Sequence, residues 1–415
     1  MLIRASLIVV LIYQFHILRN LSPLYFIILF SCLLVFCVFF IVNSQKIRYN
    51  TLILVFIVSF FWIYATFVSL LSSGSHGSPI IGIARLWATF PIVIVALVLS
   101  RVSIKSTMMV ISLFFTLAVF SYFWQLVYGP VTWFAEASER AGGIRFASLI
   151  GSLTAYGIFV GIPALAALCY FNRGIGLLIF SLLTIGAAIS LQKAALANIA
   201  IALIFALWIG AISTKILIFG VSLGVASLFF LLSLDPQNNS TAVVFQFFIG
   251  VITGNAYLTA DVGFFYSMVS RLVSLPLEAI SFFGFSALVA GVGVFGGSGV
   301  FGYPEIPMAH NGLVEIILVF GFFIGGVICF GLIGLFIFSI LKLLKRKNVM
   351  YSESGFLYCA YIIWFINYIF SGGGLFHPVG ATILWVVLFR IVALFPPQLL
   401  RQAHYPQVRS ALGCA

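Results

Sequence analysis

Between residues 270 and 326 the chain brings together Arg271, a Gly-rich run, and then His310, Asn311 and Glu315 in "PMAHNGLVEIILVFGFFIGG", directly ahead of a long apolar stretch. Ionisable side chains at the mouth of an apolar helix are expensive to hold there, which marks them as functional candidates by default. Their types suit acid–base work beside an anion. An imidazole takes up a proton near neutral pH. A guanidinium forks onto phosphate oxygens. Continued as a helix from Ala309, Asn311 and Glu315 would share a face, with His310 about 100° round the axis and Gly321 about 16 Å further along. Gly321, Gly325 and Gly326 would then form a small-residue seam against a neighbouring helix. Asn311 reads equally as a ligand or as a helix cap.

The elements that must position these residues follow from composition. The chain has 415 residues, 63% of them hydrophobic and only 7% charged, against about 25% charged in soluble domains. Apolar runs of about 20 residues recur, each long enough to cross a bilayer as a helix. The expected fold is therefore all-α: one polytopic integral membrane domain over residues 1–415. Its crossings are expected at residues 1–18, 24–42, 51–71, 79–99, 107–128, 146–171, 174–191, 194–212, 216–234, 316–340, 355–370 and 379–395, twelve in all. Residues 235–308 form a long loop region within it. Six cysteines sit in or beside apolar runs, which gives neither a disulfide framework nor a zinc pattern.

Charge tests the count. With the N-terminus inside, alternation places Arg4, Lys46, Arg48, Arg101, Lys105, Arg173, Lys215, the cluster Lys342, Lys345, Arg346 and Lys347, and then Arg401 and Arg409 on the cytoplasmic side. All acids except Glu353 fall outside. The net charge of +12 is thus a topology signal, with no nucleic acid implied. Against this background Arg140, Arg145, Lys193, Arg271 and His310 gather on the disfavoured outer face, where they would make an anion receptor. Each has a structural alternative. Arg140 could pair with Glu136 four residues before it on a helix, and Lys193 could snorkel at a helix end. Arg145 opens the sixth helix, and Arg271 sits in an apolar stretch.

The order of these features resembles the bacterial O-antigen polymerase and O-antigen ligase superfamily of membrane glycosyltransferases. "RFASLIGSLTAYG" is similar to the family's arginine, three residues, leucine element, with Arg145 and Leu149. "AISLQKAALANIAIAL" resembles its Ser-x-x-Arg-Gly-Ala junction, with Lys193 where arginine is usual and Ala194 where glycine is usual. "SRLVSLPLEAI" places Arg271 like the second loop arginine. The Gly-rich run ending in His310, with Gly321 beyond it, looks like the family's histidine, ten residues, glycine pattern.

The resemblance implies an enzyme that acts at the periplasmic face of the bacterial inner membrane on an undecaprenyl-pyrophosphate-linked glycan. It would polymerise repeat units into O-antigen or a related surface polysaccharide. The alternative is a ligase that transfers the glycan to lipid A core. A chain-length regulator and a flippase of the same pathway would be its partners, beside the lipid bilayer. Arg145 and Arg271 would stabilise the departing pyrophosphate, and His310 would deprotonate the acceptor hydroxyl, with Glu315 a second candidate base. Arg140, Lys193, Asn311, Glu315 and His377 would line the substrate. His377 lies in "FSGGGLFHP", whose glycines could admit a lipid-linked substrate or simply form a tight turn. No Asp-x-Asp pair occurs, so neither a metal nor another cofactor is expected. A carrier for a lipid-linked or anionic solute is the reading from another class. It fits less well, because no acid lies in a helix core and the halves show no repeat.

Overall fold

A computed structural model describes residues 2–14, 49–72, 79–213 apart from a few loop positions, 269–294, 310–345 and 352–394 apart from three loop positions. The expected crossings at 24–42 and 216–234, and most of residues 235–308, lie outside the described residues. In chain order the helices are α1 (Leu2–Gln14), α2 (Tyr49–Leu71), α3 (Pro79–Leu99) and α4 (Ile104–Tyr128). A short hairpin follows, β1 (Ser138–Arg140) and β2 (Gly143–Arg145). Next come α5 (Ala155–Phe159), α6 (Gly161–Tyr170), α7 (Arg173–Ile189) and α8 (Lys193–Trp208). A π-helical turn, Ser270–Ser274, leads into α9 (Leu275–Phe283) and α10 (Phe285–Ala290), so this part of the long loop region is helical. The last three helices are α11 (Gly312–Leu344), α12 (Glu353–Ser371) and α13 (Pro378–Leu394).

The protein is a helical membrane protein. Helices α2, α4 and α12, and α11 through its residues 322–344, are each long and apolar enough to cross a bilayer. Their surroundings differ. On α2, Phe56, Phe60, Ile63, Phe67 and Leu70 form an exposed apolar stripe at helical spacing, as a lipid-facing helix requires. In α12 every residue from Gly355 to Phe365 is buried, which makes it the central post of the bundle. Helix α3 contains Pro91, which removes the donor owed to the Trp87 carbonyl. Side chains from neighbouring helices serve the carbonyls on either side of Trp87: Trp62 Nε1 donates to Leu86 O (2.9 Å) and Tyr13 Oη to Ala88 O (2.7 Å).

Two expectations fail here, both for backbone reasons. The sixth crossing is not continuous from residue 146. Residues 146–151 are not helical, with Gly151 at φ 94°, nor are 153–154, and the helix begins at Ala155 and is interrupted at Val160. Arg145 therefore ends a strand and does not open a helix. Arg140 is likewise in a strand, opposite Gly143, so the helical i, i+4 pairing with Glu136 has no geometry to support it.

The second failure is in α11, which is not one straight rod. Gly321 has φ 75° and ψ 168°, a backbone region that essentially only glycine occupies. There the chain folds back on itself. Cys329 Sγ lies 3.5 Å from Leu313 O, whereas residues 16 apart on a straight helix would be separated by about 24 Å. Residues 312–320 thus form a short arm laid antiparallel against residues 322–344. The seam expected at Gly321, Gly325 and Gly326 is real at two of its three positions. A side chain at Gly325 would strike Ile316 and Ile317 of the short arm, and one at Gly321 would strike Val289 and Ala290, whereas Gly326 faces open space. Residues 291–294 beyond α10 close the fold, with Val292 N donating to Leu318 O (2.7 Å) and Gly293 N to Val319 O (3.2 Å).

Candidate functional site

The Ser371 end of α12 collects residues from segments far apart in sequence. Arg271, held in the π-helical turn, donates from Nη1 to Phe370 O at 2.9 Å. Carbonyls in the last turn of a helix have no partner within the helix, and this one fixes the guanidinium. Tyr368, one turn before the terminus, lays the hydroxyl end of its ring on Gly312, where an added Cβ would fall 2.5 Å from three ring atoms. Gly372 closes the helix at φ 64° with its N–H on Tyr368 O (3.0 Å), in the manner of a C-terminal glycine cap. The buried Glu315 carboxylate packs on Gly372, and any side chain there would collide with it.

His310 and Asn311 precede the short arm and are not part of a helix, which corrects the shared-face geometry expected from the sequence. Asn311 is extended, at φ −135°, and caps α11: its Oδ1 accepts from Leu313 N (3.1 Å) and Val314 N (3.3 Å). His310 is left at φ 47°. Burial depresses its basicity below the ordinary histidine range, and the Arg271 guanidinium beside it depresses it further. At neutral pH the imidazole is therefore uncharged and free to take a proton. A neutral base next to a fixed cation is the arrangement that acid–base chemistry on an anionic substrate requires.

A second group of residues surrounds the coil before α5. Gln125 of α4 donates to Ala147 O (2.8 Å), and Ser121 Oγ accepts from Leu149 N (3.2 Å), which straps the coil to α4. Arg145 Nη2 donates to Leu153 O (2.9 Å). Gln192, at the junction of α7 and α8, donates to the same carbonyl. The arginine element and the Ser-x-x-Lys-Ala junction of the sequence thus meet at Leu153. The side chains of Arg140 and Lys193 lie outside the described residues, although Lys193 begins α8 next to Gln192.

Backbone strain marks both groups. Among the described residues only Leu191 (φ 50°) and His310 (φ 47°) are non-glycine residues at positive φ. Such residues cost about 1–3 kcal/mol and concentrate at functional sites. One adjoins the Gln192–Lys193 junction, and the other is the candidate base.

His377 has a local task. Its Nδ1 accepts from Val379 N (3.3 Å) and its carbonyl from Ala381 N (2.8 Å), so it caps α13 ahead of Pro378. Its ring lies 5.6 Å from that of Phe159. Sequence reasoning missed Tyr368, Gln192, Asn198 and Asn367. The available signal was an amide or phenol inside an apolar helix, as in "ALANIAIAL" and "WFINYIF". Searching for ionisable groups alone passes over such residues. Comparison with models of known protein families, with curated proteins and with solved structures finds no match to this chain.

Proposed function

We propose that the protein is a membrane glycosyltransferase that extends a surface polysaccharide from undecaprenyl-pyrophosphate-linked repeat units at the periplasmic face of the inner membrane. The observation that carries this is the neutral imidazole of His310 beside the Arg271 guanidinium at the Ser371 end of α12. In this reading the acceptor hydroxyl gives its proton to His310 while its oxygen attacks the anomeric carbon of the donor. The bond from that carbon to the phosphate oxygen breaks, and the pyrophosphate leaves with the electron pair. Charge grows on the leaving phosphates, where a pre-placed guanidinium is most effective. Arg271 supplies it, and Arg145 is the second candidate. The resemblance of the four sequence elements supplies the substrate class.

The test is His310→Ala in cells that make the polysaccharide. Loss of polymerisation leaves lipid A core carrying at most one repeat unit on a lipopolysaccharide gel. Bare core, with long polymer retained on the lipid carrier, would reassign the protein as the ligase. A full normal ladder from a well-expressed variant would remove His310 from the chemistry.

A further inference from the structure

Two buried asparagines join the two groups of residues described above. Asn198 of α8 donates to Gly157 O (2.8 Å) and Ile158 O (3.2 Å), carbonyls beside the break between α5 and α6. It also donates to Asn367 Oδ1 (2.8 Å), and Asn367 donates back to Asn198 Oδ1 (2.7 Å) and to Ile363 O (2.8 Å) on its own helix. Both amides are buried among apolar helices. A reciprocal amide pair has one register only, because sliding either helix by a residue breaks both bonds together.

What each partner carries gives the pair its meaning. On one side, α8 begins at the Gln192–Lys193 junction, and Gln192 shares Leu153 O with Arg145. On the other, Asn367 stands one residue before Tyr368, which covers Gly312, and three before Phe370, whose carbonyl holds Arg271. The pair is therefore a direct side-chain link between the segment that orients Arg145 and the helix end that orients Arg271. Interhelical hydrogen bonds in membranes contribute only modestly to stability. Register is the larger consequence here.

We infer that Asn198 and Asn367 are positioning residues that set the spacing between the two guanidinium groups, so that the pair grips a lipid-linked pyrophosphate in preference to a monophosphate. This rests on the function proposed above. A diphosphate can bridge two separately held cations, whereas a monophosphate engages essentially one. A fault in spacing therefore costs the diphosphate selectively.

The experiment uses full-length protein in lipid nanodiscs, with undecaprenyl pyrophosphate and undecaprenyl monophosphate as probes. Wild type binds the diphosphate more tightly. In Asn367→Leu that preference falls by about tenfold or more, as misplacement of a gripping group predicts, while monophosphate affinity is nearly unchanged. Asn367→Asp keeps the side-chain shape and an acceptor for Asn198, and serves if the leucine variant does not assemble. It loses the same preference at neutral pH and regains part of it in acid, where a protonated carboxyl can donate to Asn198 Oδ1. Unchanged preference in an assembled variant, or equal weakening of both lipids, overturns the inference. Wild type without any preference for the diphosphate would instead overturn the proposed function.

Discussion

The two ends of α12 each receive an arginine from elsewhere in the chain and put it to different use. At the Glu353 end, Arg390 of α13 meets the carboxylate through Nε (2.6 Å) and Nη2 (3.2 Å), and its Nη1 reaches Ser100 O (2.7 Å). The same carboxylate accepts from Ile104 N at the start of α4 (3.2 Å). That guanidinium is consumed in joining α3, α4, α12 and α13. At the Ser371 end, Nη1 of Arg271 donates to a backbone carbonyl, which orients the group, and its field depresses the basicity of His310. About 27 Å of helix separates the two ends. Both arginines are partly buried and hydrogen-bonded, so burial alone does not tell a structural cation from one poised for a ligand.

Substitutions can break this contrast. Arg271→Lys keeps the charge but loses the planar fork. It is expected to lower transfer by about 10²–10³-fold, the usual effect of removing a preorganised donor, with thermal stability in nanodiscs close to wild type. Arg390→Leu should do the reverse. Leaving Glu353 alone in a mostly buried position costs about 3 kcal/mol of stability, read as a lower melting temperature, while transfer per folded molecule is maintained. Equal loss of activity per folded molecule in both variants would erase the distinction between the ends.

A smaller effect probes the frame that carries His310. In Gly321→Ala the new Cβ would lie 2.5 Å from Val289 O, at a backbone conformation that alanine avoids. The fold-back should weaken by about 1–3 kcal/mol. Protease cleavage between α10 and α11 should rise before global unfolding does. Wild-type resistance would mean that the short arm does not depend on this glycine.

Much of the scaffold was legible in the sequence, and the reasons are visible in particular residues. The bounds expected at 79–99 coincide with those of the helix Pro79–Leu99, and the helix expected at 51–71 begins only two residues earlier, because a sustained apolar run favours a helix over its whole length. The Gly321 fold-back was not legible. Residues 312–344 are apolar but for Glu315, Ser339 and Lys342, so composition is the same for one rod or two arms, and only the backbone angle of a single glycine decides between them. The non-helical stretch at 146–151 was hidden similarly, since a largely apolar stretch held by Gln125 and Ser121 of another helix reads as helix in isolation. Arg271, His310 and Glu315 were identifiable as costly polar groups in apolar surroundings. The meeting of Arg271 with Phe370 and of Glu315 with Gly372 was not, because it depends on the position of α12, which lies beyond them in the chain.

The most direct measurement of the central claim is the pH dependence of transfer by the reconstituted protein, with His310→Ala beside it. Burial and Arg271 hold the His310 basicity below its ordinary value of 6.5. The neutral, proton-accepting form is therefore complete above that value and is lost as pH falls through the lower, folded-state value. Wild-type turnover should be level from neutral pH upward and decline in acid with a midpoint below 6.5. The alanine variant should turn over at least about 10²-fold more slowly and lack that limb, while its melting temperature stays near wild type. A midpoint at or above the ordinary histidine value, or the same acid limb in the variant, would contradict His310 as the base at this end of α12.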